Sequence, residues 1–179
     1  MISLEFKNKN NCLIIFDKEK LEQKKVIFDR ICESISKIKE FDFIININAL
    51  DNTIESFIEE INSNSFLYIN KYKNKIFLKE LPELFYFSKN KNDLLIFKNY
   101  IFSSNEGIIT LYFIEPSKLT INNTVEKERI LSYIDENKIL SINIISDGDV
   151  FEIKRYKDNI FLETIVDEIK IEIKSQKHI

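Results

Sequence analysis

Three carboxylates lying close together, Asp147, Asp149 and Glu152, are the nearest thing in this chain to chemical machinery. Two acids flanking a glycine can hold Mg²⁺ or divide acid and base duties between them. Asp147-Gly148 also stands between the apolar runs Ile144-Ile145 and Val150-Phe151, and Asp-Gly is a favoured two-residue hairpin turn. A turn is therefore the first reading, a partner-facing loop the second, and a metal site the third. The single histidine, His178, leaves no Ser-His-Asp, Cys-His or HExxH arrangement to write, unless the terminus folds back over a pocket. With Gly107 and Gly148 as the whole glycine supply, neither GxGxxG nor GxxxxGK[ST] occurs. Cys12 and Cys32 form no CxxC spacing and no disulfide framework, which fits a reducing compartment. No catalytic residue, metal ligand or cofactor is assigned.

Charge placement is more informative than any motif. The chain has a formal net charge of −3, yet between residues 71 and 98 seven Lys face only Glu80, Glu83 and Asp93, a local net of +4. Lys71, Tyr72, Lys73, Lys75 and Lys79 mix cations with an aromatic ring, as a surface that follows phosphates and stacks bases would. Only three Arg are present, so the donors that clamp phosphate best are scarce. The opposite feature is an acidic ridge. Asp51, Glu55 and Glu59 recur every four residues and would share one helical face with no basic neighbour. That ridge, with Asp147 and Asp149, is the candidate contact surface for a basic protein partner.

The elements that would carry these residues follow from apolar periodicity. Residues 1–7 alternate as a half-buried strand, and Cys12–Phe16 reads as a strand buried on both faces. A helix is expected over 18–39, with Leu21, Phe28, Ile31, Cys32, Ile35 and Ile38 on one stripe; Cys32 there is a small buried hydrophobe. Phe43–Ile47 reads as a strand, and Asp51 caps a second helix through Ile54, Phe57, Ile58 and Ile61. From Phe66 to Phe113 short runs at 66–69, 76–78, 84–87, 94–102 and 108–113 suggest a series of hairpins, with Gly107 in a turn. Pro116 stops the last of these, and Asn123 with Glu126 resembles a capping box opening a helix through Ile130, Leu131 and Ile134. A hairpin at 139–156 and one or two strands over 160–174 complete the expectation.

The fold class expected is α+β, a single domain over residues 1–179 with a mainly antiparallel sheet built from hairpins and two or three helices. No signal peptide or membrane span is visible, which suggests a cytoplasmic protein without a membrane partner. Ile (34 residues), Lys (23) and Asn (19) are abundant against one Ala, a bias that matches A/T-rich codons and a low-G+C bacterium or mobile element. These exclusions point to a non-enzymatic binding protein, such as an immunity or inhibitor protein that neutralises a basic toxin domain. A phage or mobile-element accessory protein, acting against host defences or binding nucleic acid through residues 71–98, is the alternative. A carboxylate- or Mg²⁺-dependent enzyme comes third.

Overall fold

The computed structural model describes residues 2–16, 21–38, 40–49, 66–73, 80–89, 92–101, 107–116, 127–145, 149–158 and 162–176. Its strands are β1 (Ile2–Asn8), β2 (Asn11–Phe16), β3 (Asp42–Ala49), β4 (Phe66–Lys73), β5 (Glu80–Ser88), β6 (Gly107–Ile114), β7 (Lys138–Ile145) and β8 (Val150–Arg155). Its helices are α1 (Leu21–Ile38), α2 (Asn92–Ile101), α3 (Lys127–Asn137) and α4 (Leu162–Gln176). All eight strands join one sheet in the order β1-β2-β8-β7-β6-β3-β5-β4, and every neighbouring pair is antiparallel. The α+β class and the antiparallel sheet are as expected. The helices among the described residues number four, and two of them occupy stretches that read as strands.

Alternation divides the sheet into two faces. Cys12, Ile14 and Phe16 of β2, Phe43, Ile45 and Ile47 of β3, and Leu111 and Phe113 of β6 point to one side. There they meet Ile142 and Ile144 of β7, Phe151 and Ile153 of β8, and the apolar stripes of α1, α2 and α4. Each such side chain contributes about 1.5–3 kcal/mol when fully buried. Phe151 sits at the middle of this layer, edge-on to Phe16 at 4.8 Å and to Phe28 of α1 at 6.4 Å. β2 is therefore not buried on both faces. Leu13 and Ile15 are only half-buried, because no described helix covers the other side of β2.

α1 buries Lys24, Ile27, Phe28, Ile31, Ser34 and Ile35, a stripe turned slightly from the expected one, so that Leu21 is exposed and Cys32 lies at its margin. Ser34 and Ser36 donate to the carbonyls of Arg30 and Cys32 one turn back, which satisfies their hydroxyls inside the helix. Ion pairs tie the helices together: Arg30 to Glu172 at 2.9 Å and Lys37 to Glu168 at 3.6 Å join α1 to α4, and Lys98 to Asp29 at 2.7 Å joins α2 to α1.

Residues 94–102 and 160–174 are the two corrections to the expected strands. Leu94-Leu95-Ile96-Phe97 is too short an apolar run to distinguish a strand from a buried helical turn. Tertiary contacts decide for the helix. Asp93, in the first turn of α2, accepts hydrogen bonds from Tyr86 at 2.6 Å and from Ser88, and Leu94 and Phe97 go into the core one turn apart. Ile169-Lys170-Ile171-Glu172-Ile173-Lys174 alternates perfectly as a strand would. The longer pattern wins, because Leu162, Ile165, Val166, Ile169 and Ile173 follow helical spacing and all are buried, whereas Ile171 is left 66% exposed.

Smaller differences concern punctuation. Gly107 begins β6 opposite Ala49 instead of sitting in a turn. Pro82 lies within β5, one residue beyond the last position paired to β3, so the ladder to β3 asks nothing of its missing N–H. The β7-β8 register runs to Ile145 opposite Val150, and the expected turn residues Asp147 and Gly148 lie outside the described residues. So do the expected helix from Asp51, the run 76–78 and the Asn123–Glu126 capping box.

A hairpin followed by a helix occurs three times among the described elements, as β1-β2-α1, β4-β5-α2 and β7-β8-α4. The first and third units lie side by side through β2 and β8, with α1 packed on α4. No described helix is long and apolar enough to cross a membrane. The helical assignment of α4 makes a sharp prediction about two isoleucines two residues apart. Ile169→Ala costs about 2–5 kcal/mol in urea unfolding, whereas Ile171→Ala stays within about 0.5 kcal/mol of the parent; equal losses would contradict the helix.

Candidate functional site

The second face of the sheet is covered unevenly. α3 lays Ile130 and Ile134 against Ile44, Phe85, Phe87 and Ile114, with Tyr112 and Tyr133 at the margin. Among the described residues no helix lies on this side of β1, β2 and β8. Across this face runs a polar band whose members are half-buried or, at Thr110 and Glu83, buried, flanked by apolar and aromatic groups that reach the surface at Tyr156 and Ile145.

Register builds the band one residue per strand. Asn46 of β3 is opposite Thr110 of β6, Thr110 opposite Asn143 of β7, and Asn143 opposite Glu152 of β8. Glu152, at one end, gathers the most hydrogen bonds. Its carboxylate accepts from Asn11 Nδ2 at 3.0 Å, from Asn143 Nδ2 at 2.8 Å and from Lys154 Nζ at 2.8 Å. Partial burial works to raise the Glu152 pKa, but these donors outweigh it and hold the group below its ordinary value. At the other end of the band Glu83, itself buried, pairs with Lys127 of α3 and accepts from Asn46 at 3.4 Å. Asn11 Oδ1 is enclosed with no hydrogen-bond partner among the described residues.

One flank is aromatic and cationic. Tyr156, 43% exposed, shares a 3.2 Å hydrogen bond with the buried Ser141 and lies under Lys138, whose Nζ is 4.3 Å from the ring centroid. Lys138 also reaches Asp135 at 2.6 Å. Tyr112 stands beside this group, opposite Ser141, and burial followed by the neighbouring Tyr156 pushes its phenol pKa up. The other flank is apolar. Ile15 is opposite Val150 and Val150 opposite Ile145, which is 37% exposed. Amides, a hydrogen-bonded carboxylate, tyrosines and a small aliphatic patch form a surface suited to recognition.

Asp51, Glu55, Glu59, Asp147, Lys75 and Lys79 fall outside the described residues. Asp149 pairs with the nearly buried Lys24 of α1, and its carbonyl accepts from the Phe16 N–H at 2.8 Å, so it ties the β7-β8 hairpin to α1 and β2. Lys71, Tyr72 and Lys73 belong to the edge strand β4, opposite Pro82, Leu81 and Glu80. Of the carboxylate trio, Asp149 does not stand on the polar band and Glu152 does. The residues that join it, Asn11, Asn46 and Asn143, were overlooked as part of a general Asn excess. Their signal was position: Ile45-Asn46-Ile47 and Ile142-Asn143-Ile144 each place an amide between two core isoleucines, on the opposite face of the strand.

Neither cysteine is primed for chemistry. Burial raises the Cys12 thiol pKa to about 11 against a small opposing effect of Lys170, and burial with nearby Asp29 raises that of Cys32 further. Cys32 borders a 460 Å³ groove between α1 and α2, lined also by Phe28, Asp29, Glu33, Lys37 and Leu94. Among the described residues, no three His, Cys, Asp or Glu side chains come together as a metal site.

The Glu152 network has a measurable consequence. A carboxylate whose folded pKa is depressed contributes stability that is fully present above its unfolded value, about 4.3, and is lost as pH falls through the folded value. Glu152→Ala therefore lowers stability by about 1–3 kcal/mol near neutral pH, and its deficit narrows in urea unfolding at about pH 3. A deficit independent of pH would remove the charge from the explanation. Comparison with protein-family models, curated proteins and solved structures returned no match to this chain.

Proposed function

We propose that this chain is a non-enzymatic, cytoplasmic binding protein that recognises a protein partner through the face of its sheet that carries the polar band and its exposed flanks, in the manner of an immunity or inhibitor protein acting on a toxin. The observation that carries this reading is the band from Asn46 to Glu152, in which residues of β3, β6, β7 and β8 stand opposite one another by register and Asn11 of β2, opposite Lys154, is joined to Glu152 diagonally by a hydrogen bond. Such a surface binds with little ordering cost, because its polar groups are already positioned. Tyr156 and Ile145, exposed on either side of the band, supply the large contacts that concentrate binding energy in protein interfaces. A net charge of −3 favours encounter with a basic partner, as a nuclease-like toxin domain would be.

The probe is the protein encoded by the reading frame adjacent to this gene. Calorimetric titration is expected to give saturable binding with a Kd of about 1 μM or tighter. Ile145→Asp and Tyr156→Ala each weaken it about tenfold or more, while Glu163→Lys on the exposed side of α4 leaves it unchanged. Absence of binding, or affinity indifferent to the two face variants, would overturn the reading. Retention of single-stranded DNA or RNA at low salt, abolished by Lys71→Glu with Lys73→Glu, would transfer the function to the β4 edge.

A further inference from the structure

β1 ends the sheet on the side opposite β4, and among the described residues nothing pairs with its outer edge. Alternate residues of this seven-residue strand turn their backbone donors and acceptors outward for pairing. The usual guards against this are weak here. β1 contains no proline, and its two charges, Glu5 and Lys7, are bonded to each other at 3.0 Å within the strand. The register shift in the β1-β2 ladder begins only after Phe6, so Ile2 to Phe6 is regular.

The side chains along that regular stretch are self-complementary. Ile2, Leu4 and Phe6 lie opposite Phe16, Ile14 and Cys12, on the helix-covered face; Ile2 and Leu4 pack partly against the main core, and Phe6 is 46% exposed. If a second β1 runs antiparallel with Leu4 at the two-fold axis, Phe6 of each copy meets Ile2 of the other and Leu4 meets Leu4. On the opposite face Ser3 of each copy stands beside Glu5 of the other, a hydroxyl donor against a carboxylate acceptor. The chain already uses this kind of junction internally, since β2 and β8 join two hairpin–helix units antiparallel. We propose that the β1 edge is a self-association surface on which a second copy of this chain pairs antiparallel about Leu4, continuing the sheet across a two-fold axis.

Sedimentation of the full chain at about 100 μM, a concentration at which a micromolar dimer is mostly assembled, should give a dimer. Phe6→Lys, placed at a position already open to solvent, should shift assembly to concentrations about tenfold higher or more with an unchanged circular dichroism spectrum. The register is tested by single cysteines. Leu4→Cys should form a disulfide-linked dimer on mild oxidation, because only the residue on the axis faces itself, whereas Glu5→Cys should remain uncross-linked. A monomeric parent chain would overturn the proposal, as would a dimer insensitive to Phe6→Lys or one that cross-links through Glu5→Cys and not Leu4→Cys.

Discussion

One sheet serves two environments, and the period of two along each strand separates them. Apolar side chains at alternate positions of β2, β8, β7, β6, β3 and β5 converge on a single layer closed by α1, α2 and α4. The intervening positions are then committed to the other side, whatever their chemistry. Slipping β7 or β8 by a single residue would turn Asn143 or Glu152 into the layer that holds Phe16 and Phe28, and an unpaired polar group there costs several kcal/mol. The polar band and the core are thus two consequences of the same register.

The second face is where the fold leaves room for function. Among the described residues α3 closes it over Ile44, Phe85, Phe87 and Ile114, and beyond them Asn11 and Asn143 reach Glu152 across strands. Glu152 can remain charged at partial burial because three donors reach it from β2, β7 and β8. Glu83 is the more deeply buried carboxylate, and Lys127 is delivered to it by the first turn of α3. Helix placement and band electrostatics are therefore coupled through a single ion pair.

Strands flanked by polar turns were legible along the sequence: β1, β2, β3, β6, β7 and β8 lie close to where alternation and apolar runs put them. α2 and α4 were not, for a shared reason. Short stretches rich in Ile, Leu and Phe satisfy both periods at once, and only the surrounding contacts break the tie. For α2 the deciding contact is Asp93 under Tyr86 and Ser88; for α4 it is the packing of Leu162, Ile165, Val166 and Ile169 against α1. The abundance of Asn hid the site. A residue that is common everywhere carries information only through where the pleat points it.

By itself the sequence determined the class of chemistry available. One histidine, two glycines and no paired cysteines limit nucleophilic, nucleotide-cradling and disulfide chemistry before any fold is considered. It also determined the α+β class, because hydrophobic periodicity is a local property that neighbouring residues express together. Tertiary structure alone decided that β2 lies beside β8, that Asn11, Asn143 and Glu152 share one network, and that Asp149 is tied to Lys24. Those contacts join residues more than a hundred positions apart in most cases, and strand order is set by which arrangement buries the most apolar surface while pairing every inner strand, a quantity no local window contains.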